Sequence, residues 1–128
     1  MIEIEYVQHV ALVVTDVERA SIFYEQVLGL QPIPRPNFDF PGAWFAIGHQ
    51  QLHLLTNVSS KTLRGTTDID TRDGHFAIRI ANPQAAMTHL SDRGIPFKAN
   101  PNSVTGWFQI FICDPDGNVI ELNAPALD

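Results

Sequence analysis

QHVALVVTDVERASIFYEQVLGL, residues 8–30, changes its periodicity halfway along, and that change decides the fold. Val7 to Val14 is a dense apolar run, read as a strand covered on both faces. Thr15 then stands as an N-cap with Glu18 three residues on, the pattern of a capping box. Val17, Ala20, Tyr24, Val27 and Leu28 recur at helical spacing, and Gly29 ends the helix. Working outward, β-like stretches follow at Leu30 to Ile33, Ala43 to Ile47 and Gln51 to Leu55. Gly48 to Gln50 makes a tight connection between the last two. The first half therefore reads βαβββ.

The second half repeats this order. Phe76 to Ile80 reads as a strand, and Asn82-Pro83 as an N-cap with proline at the first helical position. Ala86, Met87 and Leu90 form the buried face of that helix, and Gly94 stops it. Ile95 to Lys98, Trp107 to Cys113 and Val119 to Asn123 follow as strands. The last two are joined by Asp114-Pro115-Asp116-Gly117, a strong turn signal. His9-x-Ala11 matches His75-x-Ala77, Gly29-Leu30 matches Gly94-Ile95, and Leu52-His53-Leu54 lies where Ile120-Glu121-Leu122 lies. Gly42-Ala43-Trp44-Phe45 is paired with Gly106-Trp107-Phe108. The fold class is α+β: one module at about residues 4–56, a polar, solvated linker at 57–74, and a second module at about 75–125.

Composition narrows the function. A chain of 128 residues with 45% hydrophobic residues is long enough for one core, or for two small modules sharing one. No apolar run approaches the roughly 20 residues that span a bilayer. The opening MIEIEYVQHV has two glutamates and no basic region, unlike a signal peptide. A net charge of −6 without a Lys/Arg cluster argues against a nucleic-acid partner. The single cysteine, Cys113, cannot form an internal disulfide and fits a reducing cytoplasm, as a buried structural thiol.

The repeat carries chemistry at four equivalent strand positions: His9, His53, His75 and Glu121. Imidazole and carboxylate are the usual protein ligands of a divalent metal. His53 and Glu121 are bracketed by Leu52 and Leu54, and by Ile120 and Leu122, which point to the opposite face. A polar group interrupting an apolar strand demands a partner, and a shared metal satisfies all four. The alternative is that each histidine is an ordinary hydrogen-bonded strand residue and Glu121 is paired by Arg79. Arg79 shares the His75 face and is the cation expected to point into the site.

The remaining residues are placed by default. His49 sits in a tight turn and His89 on the exposed side of a helix. Trp44, Phe45, Trp107, Phe108 and Phe111 are mostly core, with Trp44 and Trp107 as candidates to line a cavity mouth beside the metal. Pro34 to Gly42 is a stiff aromatic loop that includes Phe40 and is a candidate substrate wall; prolines delimiting edge strands are the simpler account. There is no phosphate-binding glycine loop, no notable Ser-His-Asp order and no HExxH.

These residues resemble the vicinal oxygen chelate superfamily, which groups glyoxalase, bleomycin-resistance and extradiol dioxygenase proteins. The resemblance covers nearly the whole chain and rests on QHVALVVTDVERASIFYEQVLGL, QLHLL, HFAI and DPDGNVIEL. It implies two βαβββ modules whose mixed sheets, flanked by helices, form an open cup around a divalent metal such as Zn, Ni, Mn, Co or Fe. It also implies ligands from the first and last strand of each module, here His9, His53, His75 and Glu121. The implied substrate is a small molecule chelated through adjacent oxygens, with Glu121 or His53 moving the proton; Arg79, Trp44, Phe40 and Trp107, singled out above from the residues themselves, are the candidates to bind it. A homodimer is implied as well.

The resemblance covers several reactions. Glyoxalase I carries a carboxylate where this chain has His53. Extradiol Fe(II) dioxygenases and fosfomycin-modifying thiol transferases use two histidines and a glutamate, matched by His9, His75 and Glu121. The transferases commonly have threonine where Ala11 stands. A metal-dependent lyase or isomerase of glyoxalase type is the leading expectation. The alternatives are Fe(II) ring cleavage, thiol transfer, or a binding protein without turnover.

Overall fold

The structure, a computed structural model, describes residues 1–126. Its elements run β1 (His9–Val13), α1 (Val17–Ile22) continued by a π-helical turn (Phe23–Val27), β2 (Gln31–Ile33), β3 (Gly42–Ile47) and β4 (Gln50–Leu55). The order then repeats as β5 (His75–Arg79), α2 (Pro83–Asp92), β6 (Lys98–Asn100), β7 (Trp107–Cys113) and β8 (Val119–Pro125). The fold is α+β. Its strands form two four-stranded mixed sheets, β1-β4-β3-β2 and β5-β8-β7-β6. Each has one parallel pair, β1 with β4 and β5 with β8, and antiparallel pairs elsewhere. Contacts divide the chain into two compact units, Met1–Thr62 and Leu63–Asp128.

In the first unit the apolar side of the sheet supports α1. Phe45, Leu52, Leu54 and Val14 are buried together with Ala20, Phe23 and Tyr24 of the helical segment. Asp16 caps α1 instead of Thr15: its carboxylate accepts from the Arg19 backbone N–H at 3.1 Å. The Thr15 hydroxyl is engaged instead by the Arg19 guanidinium, also at 3.1 Å. The expectation that β1 is covered on both faces fails. Val10 and Leu12 are half-buried, whereas His9 and Ala11 are exposed on the other face. That open face carries the candidate site.

In the second unit β7 and β8 supply most of the core, with Phe108, Ile110, Ile112, Ile120, Leu122 and Ala124 all buried. Asn82 caps α2 through its side chain, as the sequence predicts, with Pro83 at the first position. The strand expected at Ile95–Lys98 forms later, at Lys98–Asn100, paired with Gln109–Phe111. The cause is the helix end. Gly94 takes a left-handed φ of 68° and the Ile95 N–H is spent on the Leu90 carbonyl. Pro96 has no N–H to give a ladder, so pairing begins beyond it.

Most of 57–74 is exposed, but Arg64 is not free. It bonds Asp73 at 2.6 Å, the Asp68 carbonyl at 2.8 Å and the Gly117 carbonyl at 2.7 Å. The second half of this segment is thereby tied to the β7–β8 turn of its own unit. Among the described residues no helix is long and apolar enough to cross a membrane.

Candidate metal centre

In the second unit, register places Ala77 of β5 and Phe111 of β7 on either side of Glu121 of β8. The small Ala77 leaves room beside the carboxylate. Glu121 is 5% exposed and is held by side chains only. Its Oε2 accepts from Asn123 Nδ2 at 3.2 Å and Gln109 Nε2 at 3.4 Å, and its Oε1 faces His75 Nε2 at 3.2 Å. Arg79 does not pair with it; the guanidinium lies 5.7 Å over the exposed Trp107 ring. The alternative in which Arg79 satisfies Glu121 is therefore not realised.

The His75 ring is oriented by its other nitrogen. Nδ1 lies 2.8 Å from the Asp73 carbonyl, which only accepts, so Nδ1 carries the hydrogen. In the neutral ring Nε2 then presents a lone pair to a carboxylate oxygen. Two acceptors at 3.2 Å are held together only by a positive charge between them, either a proton or a metal ion. An imidazole anchored through its back nitrogen to a carbonyl is also the usual arrangement of a metal-ligating histidine. The donor chemistry of this pair fits a divalent metal.

In the first unit, His53 of β4 stands in register between Ala11 of β1 and Trp44 of β3. His9 Nδ1 bonds the Gln8 side-chain oxygen, leaving Nε2 as its open nitrogen. His53 Nε2 bonds Gln51 Oε1 at 2.8 Å, leaving Nδ1 open. The His53 ring is stacked on both sides, 4.1 Å from His9 at 18° and 3.9 Å from Trp44 at 4°. Burial, then the neighbouring His9, then Arg35, hold His53 below the usual imidazole range, so it is neutral near pH 7. A metal–nitrogen bond lies in the ring plane and is about 2 Å long. Two rings only 18° from parallel do not converge on one ion at that range. As arranged, the two rings cannot both ligate the same ion.

Each unit thus presents one pair at matching positions, His9 with His53 and His75 with Glu121. Within neither unit do three His, Cys, Asp or Glu side chains of the described residues gather as a ready metal site. Register also corrects one part of the repeat. Trp44 pairs with His53, and its counterpart opposite Glu121 is Phe111, not Trp107. Phe111 meets the His75 ring edge-on at 5.5 Å. Phe40 lines a cleft with Leu55, Thr56, Asn57 and Val58. His49 and His89 are exposed, as expected.

Sequence reasoning missed Gln109, Asn123, Gln51 and Arg35. Gln51 and Asn123 carried a signal, since each lies two residues from a candidate ligand on the same strand face. Gln109 carried none, because its alignment depends on the register of β7. Arg35 lay inside the aromatic loop but was read only for its neighbours.

The comparisons agree with this architecture. A family model described as the Glyoxalase/Bleomycin resistance protein/Dioxygenase superfamily matches residues 6–122. Glyoxylase I 4 of Arabidopsis thaliana is 32% identical over 89% of the chain and 67% of its own length. Lactoylglutathione lyase GLX1 of the same plant is 26% identical over 89% of the chain, which spans only 42% of that relative. Among solved structures, the fosfomycin resistance protein FosX of Listeria monocytogenes superposes with a TM-score of 0.77 at 17% identity, covering 98% of this chain and 95% of that one. That structure is a variant complexed with Mn(II) and 1S,2S-dihydroxypropylphosphonic acid.

Proposed function

The chain belongs to the Glyoxalase/Bleomycin resistance protein/Dioxygenase superfamily, and from that premise we propose that it is a divalent-metal-dependent enzyme of glyoxalase type. Its substrate is a small molecule that offers two adjacent oxygens. The observation that carries this reading is the His75–Glu121 pair, in which imidazole Nε2 and a buried carboxylate oxygen face each other at 3.2 Å. His9, His75 and Glu121 are assigned as the holding residues. A bound divalent ion supplies Lewis acidity for the charge that develops on the substrate oxygens.

The remaining work belongs to the chain's own side chains. His53 is assigned as the base: it is neutral, its Nδ1 is open, and Gln51 and the flanking rings fix its plane. Gln109 and Asn123 hold the Glu121 side chain in one orientation, so that it ligates or returns the proton without reorganising. Trp44, Phe40, Trp107 and Arg79 are the residues assigned to substrate binding.

The test is metal content together with isomerase turnover on a ketoaldehyde–thiol adduct. Turnover that depends on metal and is lost in His53→Ala with metal still bound supports the assignment. Absence of turnover with Ni, Zn, Co and Mn each loaded overturns the isomerase reading. A second reading follows from the two-histidine, one-carboxylate composition of the holding set, which suits Fe(II) ring cleavage. It requires oxygen uptake with a catechol under Fe(II) alone, and indifference to oxygen ends it. The enzyme is proposed to act in the cytoplasm as a homodimer, supported by the free Cys113 and the exposed Ile2, Ile4, Tyr6 and Trp107. Light scattering at working concentration tests the dimer.

A further inference from the structure

Arg35 has a built seat and unspent donors. Its guanidinium lies 4.7 Å from the Phe38 ring centre and 5.2 Å from that of Phe40, two rings stacked 5.2 Å apart. From below it rests on Gly42, where an added Cβ would fall 2.7 Å from Nη2 and 2.5 Å from the Leu54 carbonyl. The Leu54 backbone carbonyl excludes a side chain there, so Gly42 leaves room for the guanidinium.

Of the five N–H donors an arginine carries, the seat uses few. Nη2 donates to the Phe40 carbonyl at 3.0 Å, while Nε is buried with no hydrogen-bond partner. Among the described residues no carboxylate pairs with Arg35. Nη1 makes no hydrogen bond and, unlike Nε, is not sealed from the surface, so a ligand reaches the guanidinium through its terminal nitrogens.

The seat is also connected to the candidate site by a row of rings. His53 stacks on Trp44, Trp44 lies 6.3 Å from Phe38, and Phe38 stacks on Phe40. Beyond Phe40 opens a cleft of about 410 Å³ lined by Leu55, Thr56, Asn57 and Val58, within the size range of small-molecule sites.

We infer that Arg35 is the anchor for a carboxylate on the substrate, so that the substrate is an organic acid with an apolar or aromatic body. Its body lies along Trp44, Phe38 and Phe40, and its carboxylate takes the guanidinium donors that the fold leaves open. A planar fork matches a carboxylate through two parallel bonds, which a lysine ammonium does not. The position of the reacting oxygens rests on the reading proposed above; the anion seat does not.

The experiment therefore uses the full chain stripped of metal with a chelator. Trp fluorescence and ligand-observed NMR follow titration with 3-phenylpropionate and with its neutral amide, which has the same shape. The acid is expected to bind at least about tenfold more tightly than the amide, as charge-assisted bonds to a guanidinium require. Arg35→Gln removes that preference, Arg35→Lys keeps part of it, and circular dichroism confirms that both variants fold. Equal binding of acid and amide by the unaltered chain overturns the proposal, as does an undiminished preference in folded Arg35→Gln. Should Arg35→Gln not fold, the acid-to-amide ratio of the unaltered chain and the Arg35→Lys result decide. A chain that binds the acid but never takes up metal keeps the anchor and loses the enzyme reading.

Discussion

Glu121 is a carboxylate at 5% exposure whose oxygens meet two amides and one imidazole, and no arginine or lysine. Amides hydrogen-bond a carboxyl group without supplying a cation, so no basic side chain competes with a metal for its oxygens. Gln109→Leu is expected to weaken metal binding about 10- to 100-fold while leaving every proposed ligand in place, as loss of an outer hydrogen bond does. Competition with a chromophoric chelator reads this directly, and an unchanged affinity would remove Gln109 from the site. Cys113 offers a simpler test. Burial pushes its thiol above the ordinary range, against a smaller opposing pull from Arg64. Labelling by a thiol reagent should therefore be slow near pH 8 and rise only at higher pH than for a free thiol; the Arg64→Ala variant should be slower still. At this scale the four repeated donors were legible, because polar side chains inside apolar strands advertise themselves. Arg35 and Gln109 were not. Their roles depend on which ring or carboxylate the fold brings beside them.

The turn between β7 and β8 shows how an element fixes the site geometry. Asp114, 2% exposed, accepts from the backbone N–H groups of Asp116 and Asn118 and from the Asn118 amide, each at 2.9 Å. Gly117 follows with φ of 86°, and a Cβ there would fall 1.8 Å from the Thr66 carbonyl. Gly117→Ala is expected to cost at least about 2 kcal/mol, combining an unfavourable φ with a clash against backbone. Asp114→Ala is expected to cost about 2–4 kcal/mol by orphaning buried N–H groups, and Asp114→Asn less, since it keeps one acceptor oxygen. Urea melts of the three variants check the order. This turn was legible from Asp-Pro-Asp-Gly alone. The pairing of Trp44 with Trp107 misled for a definite reason. The ladder makes Phe111 the counterpart of Trp44, so matching Trp44 with Trp107 slips the register by four residues, from 111 to 107. An even slip keeps every side chain on its own face, so alternation cannot reveal it. Only the ladder shows Phe111 opposite Glu121.

For the molecule as a whole, duplication was the most legible property, since both halves repeat the same order of strand, helix and three strands. The allegiance of the connecting segment was not legible: a polar stretch reads as solvated, and the three-way hold of Arg64 on Asp73, Asp68 and Gly117 appears only once the chain is folded. The duplicated plan has a thermodynamic consequence. Under the proposed ligand set, metal binding stabilises the folded chain through a single linkage. At a hundredfold excess over Kd the gain is about 2.7 kcal/mol, or roughly 10 °C in Tm for a chain of this size. His9→Ala and Glu121→Gln should each abolish the whole of that shift, and the double variant should lose nothing further, because either loss opens the same site. Two independent sites, one per unit, predict something different: each single variant would keep part of the shift and only the double variant would lose it all. Differential scanning fluorimetry of the four proteins, with and without Mn, Zn, Ni and Co, separates the two arrangements.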